Sequence, residues 1–205
     1  MEELIYGITI FFVLFFTIRG VRLYGSYKGS IYTALFPGFF EYFYKYEVQR
    51  DCSKSSYLKS TIGTQRMLFS IAKNDKGAVT QRFVSIVYNK GVAIVAFLSP
   101  NGHLKAKKSD KYWTVAPDKG NEYRILSPEA ALNEYRRRVE KLVPDLNVLT
   151  YVAVGNQLDL SEIRCEMPVM HYSELVEALK NANEPYISEE MILSEFKKFT
   201  QKERG

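Results

Sequence analysis

Two apolar runs separated by a short turn are the feature that most constrains the fold of this 205-residue chain. The runs are Phe83 to Tyr88 and Val92 to Leu98, and Asn89-Lys90-Gly91 lies between them. A three-residue loop ending in glycine is typical of a β-hairpin whose last loop position has a left-handed backbone. Both runs are apolar on both faces of the pleat. We therefore expect a hairpin in the middle of a domain, covered on both sides.

The residues that follow the hairpin carry a family resemblance. Gly102 comes soon after the second run, and Trp113, the single tryptophan, lies further along. This spacing around Asn-Lys-Gly-Val resembles the nuclease-related domain (NERD) family, a branch of the PD-(D/E)xK nucleases. The resemblance covers roughly residues 57–182. It implies an α/β fold of the restriction-endonuclease type, with a central sheet flanked by helices.

The resemblance also implies where a metal site would lie. Such enzymes have a carboxylate on the first hairpin strand and a Glu-x-Lys on the second, because residues two apart on a strand point the same way. On this chain these positions fall on Phe83, Ala96 and Leu98, and a further family glutamate falls on Thr64. None of the four is acidic, whereas Mg²⁺ requires oxygen ligands. We therefore expect a catalytically inactive domain, without a metal site or a cofactor.

An uncharged apolar segment, Leu4 to Ile18, predicts an uncleaved transmembrane anchor. The span can extend to Leu23 because long arginine side chains reach the head groups. The alternative is a buried core helix. Basic residues cluster only on the C-terminal flank, which predicts a single-pass protein with its N-terminus outside and its C-terminal domain in the cytoplasm. The residues assigned to the anchor are Leu4, Phe11, Phe12, Phe15, Phe16, Arg19 and Arg22.

The segment from Tyr27 to Tyr46 contains nine aromatic residues and a Pro37-Gly38 break. Aromatic side chains are common in the head-group layer, which favours a helix or shallow hairpin on the membrane surface. Docking of these rings on the soluble domain, or on a membrane helix of a partner, is an equal alternative. The expected organisation is an anchor at 1–24, an aromatic segment and linker at 25–56, a NERD-like α/β domain at 57–182 and a C-terminal helix at 183–205.

The rest of the chain alternates between helical and strand patterns. Ser127-Pro128-Glu129 combines a hydroxyl cap, a proline at the first helical position and an acid near the positive end of the helix dipole. The predicted strands are Tyr112 to Val115, Val148 to Val154 and Val169 to Met170. The predicted helices are Tyr57 to Lys73, Ser127 to about Leu142, Ser173 to Lys180 and a final one from Ser188.

A formal net charge of +5 permits contact with nucleic acid or anionic lipid but requires neither. Lysines crowd the segment before Trp113, where they favour phosphate contacts or, alternatively, a solvated edge strand that resists unwanted pairing. The helix after Ser127 adds a small basic face. The candidate residues for nucleic-acid or anion binding are Lys105, Lys107, Lys108, Lys111, Arg137 and Lys141.

No other active-site chemistry is indicated by the sequence. Cys52 and Cys165 are far apart, and His103 and His171 are isolated, so neither pair has the spacing of a metal site. Asp110 or Glu122 could replace a missing acid, but neither is accompanied by a second acid at a suitable spacing.

These patterns predict a cytoplasm-facing membrane protein whose inactive nuclease-like domain works by binding, as a subunit or scaffold of a membrane-associated protein assembly. The expected partners are membrane lipid and other membrane or membrane-associated proteins. Two alternatives stay open. The first is a nucleic-acid-binding membrane protein that does not cleave, and the second is an active metal-dependent nuclease with shifted acids.

Overall fold

The computed structural model describes residues 2–73 and 76–203 and is a mixed α/β fold with two sheets. The strands are β1 (Gln65–Lys73), β2 (Val79–Tyr88), β3 (Gly91–Leu98), β4 (His103–Lys105), β5 (Tyr112–Ala116), β6 (Tyr123–Leu126), β7 (Val148–Val154) and β8 (Val169–His171). The helices are α1 (Glu2–Tyr27), α2 (Tyr32–Leu35), α3 (Phe39–Tyr42), α4 (Ser56–Ile62), α5 (Pro128–Leu142), α6 (Tyr172–Lys180) and α7 (Glu189–Glu203), and a π-helix (Phe43–Val48) continues α3.

The central sheet has the strand order β1-β2-β3-β7-β8. Its first three strands are antiparallel, and β3, β7 and β8 run parallel. The predicted hairpin is confirmed as β2 and β3, and β3 occupies the middle of the sheet. A smaller antiparallel sheet, β4-β5-β6, contains the predicted strand at Tyr112 to Val115 and two strands that the sequence analysis did not predict.

The hairpin turn is one residue tighter than predicted. Tyr88 pairs with Gly91, so Asn89 and Lys90 alone form the turn. Gly91 has a φ of +116°. A Cβ atom there would lie 2.3 Å from the carbonyl oxygen of Asn147, so both the backbone conformation and the close approach require glycine.

The predicted helix from Tyr57 to Lys73 is wrong over most of its length. The helix α4 ends at Ile62, since Gly63 takes a left-handed φ of +83° that stops it. Residues Gln65–Lys73 form the edge strand β1 instead. Their apolar residues fit both a helical period and an alternating one, and pairing with β2 selects the strand. The turn-forming sequence Asn74-Asp75-Lys76-Gly77 predicts the end of that helix, and its first two residues lie outside the described residues.

The remaining predicted elements are confirmed with small shifts. Ser127 caps α5 by accepting a hydrogen bond from the Glu129 backbone N–H, with Pro128 in the first turn. The strand β7 has the predicted bounds, and β8 is one residue longer than predicted. The N-cap of α6 is His171 and not Ser173. At α7, Ser188 accepts a hydrogen bond from the Met191 backbone N–H.

The two faces of the central sheet pack against different parts of the chain. The anchor face, which includes Val84, Ile86, Tyr88, Ala93 and Val95, packs against the aromatic segment 27–46, α4 and α6. The opposite face, which includes Phe83, Val87, Val92, Ile94 and Ala96, packs against α5, α7 and the small sheet. The strands β2 and β3 are therefore covered on both sides, as predicted.

One helix near the N-terminus is long and apolar enough to cross a membrane. The candidate span within α1 is Ile5–Tyr27, 23 residues, and no part of its apolar window is buried inside the protein. At 1.5 Å per residue it measures about 35 Å, compared with about 30 Å for the hydrocarbon core of a bilayer. The alternative of a buried core helix is wrong, because side chains such as Phe11 are well exposed (64% for Phe11).

Candidate functional site

Two of the positions at which the resemblance implies acids face each other across the hairpin. Phe83 on β2 pairs with Ala96 on β3. Their exposed fractions are 1% and 0%, and both side chains lie in the core of the opposite face. Leu98 follows two residues after Ala96 and packs, partly buried, against the same core. The fold thus brings three of the four positions together on one face, and all three are apolar.

The aromatic ring of Tyr135 on α5 covers Phe83. The two ring centres are 4.9 Å apart and the rings are nearly parallel, with an interplanar angle of 10°. The Tyr135 hydroxyl lies 2.8 Å from Ser70 Oγ and 3.4 Å from Ser85 Oγ. Tyr135 belongs to the buried side of α5, and helical periodicity does not show which strand residue its ring will meet. Stacked rings and neutral hydroxyls therefore occupy the space above this part of the hairpin.

Thr64 lies apart from the other three positions. It follows Gly63 after the end of α4, whereas the family glutamate belongs near the start of a helix. The next residue, Gln65, pairs with Tyr88 at the turn end of the hairpin. Phe83 lies five residues before Tyr88 on β2, so the two residues are about 17 Å apart along the strand. The chain does not gather all four positions into one site.

A groove of about 820 Å³ runs along the outer edge of β1. Its walls include residues 68–73 of β1, together with Phe83, Tyr135 and Arg138. No further described strand pairs with β1 on this side, and Ile71 is 53% exposed. An edge strand offers unpaired backbone N–H and C=O groups to another chain. The groove therefore combines an open strand edge with mixed apolar and polar walls.

The lysines before Trp113 do not form a continuous basic patch. Lys105 Nζ lies 3.2 Å from Glu122, and Lys108 Nζ lies 2.6 Å from Glu166. The hydrogen bond and the charge of Glu122 raise the pKa of Lys105. Lys111 Nζ lies 5.6 Å from the centre of the Tyr112 ring, and Lys107 is exposed. This alternation of charges is typical of a solvated edge.

The basic residues of α5 are arranged as the helical spacing predicts. Arg136 lies 2.7 Å from Glu140, and Arg138 lies 3.8 Å from Glu134. These four charges are paired along the helix. Arg137 and Lys141 are exposed, one turn apart, as the small basic face that the sequence predicts.

Both histidines bind neighbouring groups. His103 Nδ1 lies 2.8 Å from Asp159 Oδ2, and His171 Nε2 lies 2.8 Å from the Leu158 carbonyl oxygen. The pKa of Asp159 is lowered by hydrogen bonds from the Ser161 backbone and then from His103. Within residues 2–73 and 76–203, no group of three or more His, Cys, Asp or Glu side chains could hold a metal ion.

The aromatic segment docks on the anchor face of the sheet. Its buried residues are Tyr27, Ile31, Leu35, Phe36 and Tyr42. The rings of Tyr32 and Tyr46 contact Phe69 of β1, with centres 5.4 and 5.5 Å apart. Most of these rings therefore dock on the α/β domain, which is one of the alternatives that the sequence left open. Phe40 and Tyr44 are exceptions, because they are 86% and 56% exposed, and Phe40 lies beside α1.

The anchor residues lie along one exposed helix. Phe11, Phe12, Phe15 and Phe16 are all exposed on α1, and the side chain of Leu4 lies outside the described residues. Arg22 is exposed, and an Arg19 guanidinium nitrogen lies 3.7 Å from Glu47 Oε2 of the π-helix. The C-terminal flank of the span is thus joined to the aromatic segment by an ion pair.

Comparison with known proteins gives no match, since no family model, no curated protein and no solved structure is similar to this chain. The likeness to nuclease-related domains therefore rests on the hairpin and on the spacing of Gly102 and Trp113. Arguments about function depend on the geometry of the residues described above.

Proposed function

We propose that this protein is a membrane-anchored, catalytically inactive nuclease-like domain that acts as a binding or scaffold subunit of a membrane-associated protein assembly. One observation carries the proposal. Phe83 and Ala96, at the positions where the resemblance implies metal-binding acids, are paired and buried, and the ring of Tyr135 stacks on Phe83. Mg²⁺ needs oxygen ligands, and these side chains offer none. The hairpin in this position stabilises a core instead of holding a metal.

The anchor is part of the same proposal. A single span at α1 places residues 28–203 on one side of the membrane. The positive residues Arg19 and Arg22 at the end of the span favour the cytoplasm for that side. The aromatic segment then holds the domain close to the bilayer, because its rings pack against both α1 and the sheet. Tyr24 of α1 contacts Phe39, and Tyr27 contacts Tyr42.

The groove along β1 is the surface that we assign to a protein partner. An edge strand binds an extended segment of another chain through backbone hydrogen bonds, and neighbouring pockets select its side chains. The groove has both features, an open edge and walls formed by α5 and Phe83. Exposed Ile71 lies on that edge, and Tyr46 of the aromatic segment lines the same groove.

Site-specific photo-crosslinking in native membranes tests the proposal. A photoreactive residue replaces Ile71 in the full-length chain, and Tyr123 on β6, also exposed, is the matched control position. We expect one defined protein adduct from position 71 and none from position 123. A chain that stays monomeric without adducts at either position would contradict the proposal.

A nuclease assay tests the catalytic part independently. The purified full-length protein is incubated with DNA and RNA in Mg²⁺ or Mn²⁺, and we expect no cleavage. Metal-dependent cleavage that disappears in Asp110→Asn or Glu122→Gln would establish an active nuclease with shifted acids. These two variants also separate true activity from a contaminating nuclease, which neither substitution would affect.

A further inference from the structure

A small polar pocket of about 310 Å³ lies beside the aromatic segment, separate from the groove along β1. It is formed where the π-helix, the start of α4 and the start of β1 meet. Four cationic side chains line it, Lys45, Lys54, Lys59 and Arg66, together with one acid, Glu189. The sequence analysis did not single out these cations, because they are spread over more than twenty residues and converge only in the fold.

Three of the four cations lack a close carboxylate. Lys45 Nζ lies 2.6 Å from Glu41 Oε1 and is neutralised locally. Among the described residues, Lys54, Lys59 and Arg66 have no carboxylate oxygen within 4.0 Å. The pKa of Asp51 is lowered by a hydrogen bond from Ser53, and the nearby charges of Lys54 and Arg66 also lower it. The lining keeps a surplus of positive charge.

Gln65 gives the pocket a fixed polar wall. It is 2% exposed, and its Nε2 donates a hydrogen bond to the Ser55 carbonyl oxygen at 3.1 Å. Its Oε1 is buried and has no hydrogen-bond partner within the described chain. Ser55 is itself held by the Leu35 carbonyl oxygen, which accepts its hydroxyl hydrogen bond. A buried acceptor without a donor is unfavourable, and such groups in native proteins are nearly always satisfied.

These observations together define the ligand chemistry. Unpaired cations require an anion, and Lys and Arg side chains are the usual ligands of phosphate oxygens. The unpaired acceptor Oε1 requires a donor, which phosphate at neutral pH supplies poorly but a hydroxyl supplies well. We propose that this pocket binds the phosphate of a polyol phosphate group through Lys54, Lys59 and Arg66, with a ligand hydroxyl donating to Gln65.

Two sources can supply such a group, the head group of an anionic phospholipid or a soluble polyol phosphate. The position of the pocket suits the lipid. Lys45 belongs to the same π-helix as Glu47, which lies 3.7 Å from Arg19 in the C-terminal half of α1. A head group there would connect the anchor with α4 and β1.

Binding experiments with full-length protein in nanodiscs test the site and separate the sources. In discs of phosphatidylcholine, titration calorimetry measures binding of glycerol 3-phosphate and of inorganic phosphate. In discs that also contain phosphatidylglycerol, native mass spectrometry measures how much of that lipid the protein retains. Binding of glycerol 3-phosphate in the first discs identifies a soluble ligand, and selective retention of phosphatidylglycerol alone identifies the lipid. Either result supports the site.

Lys59→Ala and Arg66→Ala are the informative variants, because Lys59 is exposed and both leave Gln65 in place. We expect each to bind the successful probe about tenfold more weakly, the size of one lost charge-assisted hydrogen bond. Lys28→Ala is the matched control, an exposed lysine beside the span and outside the pocket, and should bind as wild type. Three results would each overturn the proposal. The wild type could fail to bind both probes, both pocket variants could bind as the wild type does, or Lys28→Ala could lose as much binding as they do. The photo-crosslinking result at Ile71 does not depend on this outcome.

Discussion

The two faces of the central sheet are built from different chemistry. The anchor face packs against tyrosines whose hydroxyls bind specific oxygens, so it is held by packing and by directed hydrogen bonds. The opposite face packs against aliphatic side chains and stacked rings, and its polar contacts include the Tyr135 hydroxyl beside Ser70 and Ser85. The first face joins the sheet to the long apolar helix α1. The second contains Phe83 and Ala96, positions at which the resemblance implies acids, and both are buried apolar side chains.

Hydrogen bonds on the anchor face fix the aromatic segment in one place. Tyr32 donates to Tyr46 at 2.8 Å, and Tyr42 donates to Glu47 at 3.3 Å. Tyr88 of β2 donates to the Leu179 carbonyl oxygen at 3.2 Å. A buried ring can slide along an apolar surface, whereas a bound hydroxyl specifies one position. The segment therefore acts as a positioned connection between the span and the domain.

The opposite face depends on packing. Phe83 stacks on Tyr135, and Trp113 is fully buried with an Nε1 that has no partner among the described residues. Removing or charging a side chain here should unfold the whole domain, because β2 and β3 carry both faces. A substitution among the rings of the anchor face should instead detach only the aromatic segment from the sheet. Each prediction below tests this contrast, beginning with the largest effect.

Phe83→Asp should abolish or nearly abolish stable folding. The substitution buries an uncompensated carboxylate in an apolar core, which destabilises by about 4 kcal/mol or more. Phe83→Leu is the control and should lower the free energy of unfolding by about 1 kcal/mol, since volume changes little. Denaturant unfolding followed by the fluorescence of the single Trp113 measures both. A folded Phe83→Asp protein whose stability rises with Mg²⁺ would show that this face still supports a metal site.

Tyr42→Ala should destabilise the aromatic segment by about 3 kcal/mol, the lower range for loss of a large buried ring. The loss should be local. We expect faster hydrogen exchange in residues 32–48 and unchanged protection in β2 and β3. Tyr42→Phe keeps the ring and removes only the bond to Glu47, so its effect should be about 1 kcal/mol. Faster exchange throughout the central sheet would remove the distinction between the two faces.

This contrast also explains what the sequence could reveal. The hairpin, the capped helix α5 and the strand β7 follow from local patterns. The pairing of Phe83 with Ala96 does not, because it depends on the two-residue turn, and the expected three-residue loop would shift the register by one residue. The strand β1 was missed because residues 65–73 fit two periods, and only pairing with β2 selects one. Two strands of the small sheet, β4 and β6, were missed because they are only three and four residues long.

The candidate sites divide in the same way. The sequence alone shows that Phe83, Ala96 and Leu98, the positions at which the resemblance implies a catalytic site, are apolar. The ring of Tyr135 above them, the docking of residues 27–46 and the convergence of Lys59 with Arg66 are contacts between distant segments. Side-chain periodicity carries no information on such contacts, so they require coordinates in three dimensions.

Alkaline pH should weaken the anchor face specifically. Burial raises the pKa of Tyr172 to about 12, against an opposing hydrogen bond from Ser99, and burial also raises the pKa of Tyr32, Tyr42 and Tyr88. The folded state thus keeps its phenol protons when the unfolded state loses them. The associated stability is complete below pH 10 and decreases as the pH rises towards 12, by about 1.4 kcal/mol per pH unit for each such group. Unfolding free energies across this range measure the slope.

Tyr172→Phe provides the control for this titration. The variant lacks one of the phenols with a raised pKa, so its stability should decrease less steeply above pH 10 than that of the wild type. The two proteins should be compared by slope, because the variant also loses its hydrogen bond to Ser99 at every pH. Identical slopes would mean that Tyr172 titrates equally in the folded and unfolded states.

Ser55→Ala should lower the free energy of unfolding by about 1 kcal/mol, the usual effect of losing a helix cap. The Ser55 hydroxyl accepts from the Leu58 backbone N–H at 3.2 Å and also bonds the Leu35 carbonyl oxygen, so it joins α4 to α2. Ser60→Ala is the matched control in the same helix, since its exposed hydroxyl bonds only the Tyr57 carbonyl oxygen. Equal effects of the two variants would show that the link between α4 and α2 contributes nothing.

Substituting Lys105 and Lys108 with glutamine should have the smallest effect. Both side chains are exposed and paired with acids, and surface ion pairs of this kind contribute little to stability. Nucleic-acid binding should be equally unaffected, because Glu122 and Glu166 neutralise the charges that phosphates would need. Filter binding of DNA and RNA over a range of salt concentrations measures this, with Glu122→Gln and Glu166→Gln as the matched variants that free the lysines.

If wild type binds nucleic acid with a steep dependence on salt and the lysine variant does not, the edge beside Trp113 is a phosphate-binding surface and the domain binds nucleic acid. If only the glutamate variants bind nucleic acid, then Glu122 and Glu166 prevent this edge from binding it in the wild type. That result would strengthen the protein-binding proposal.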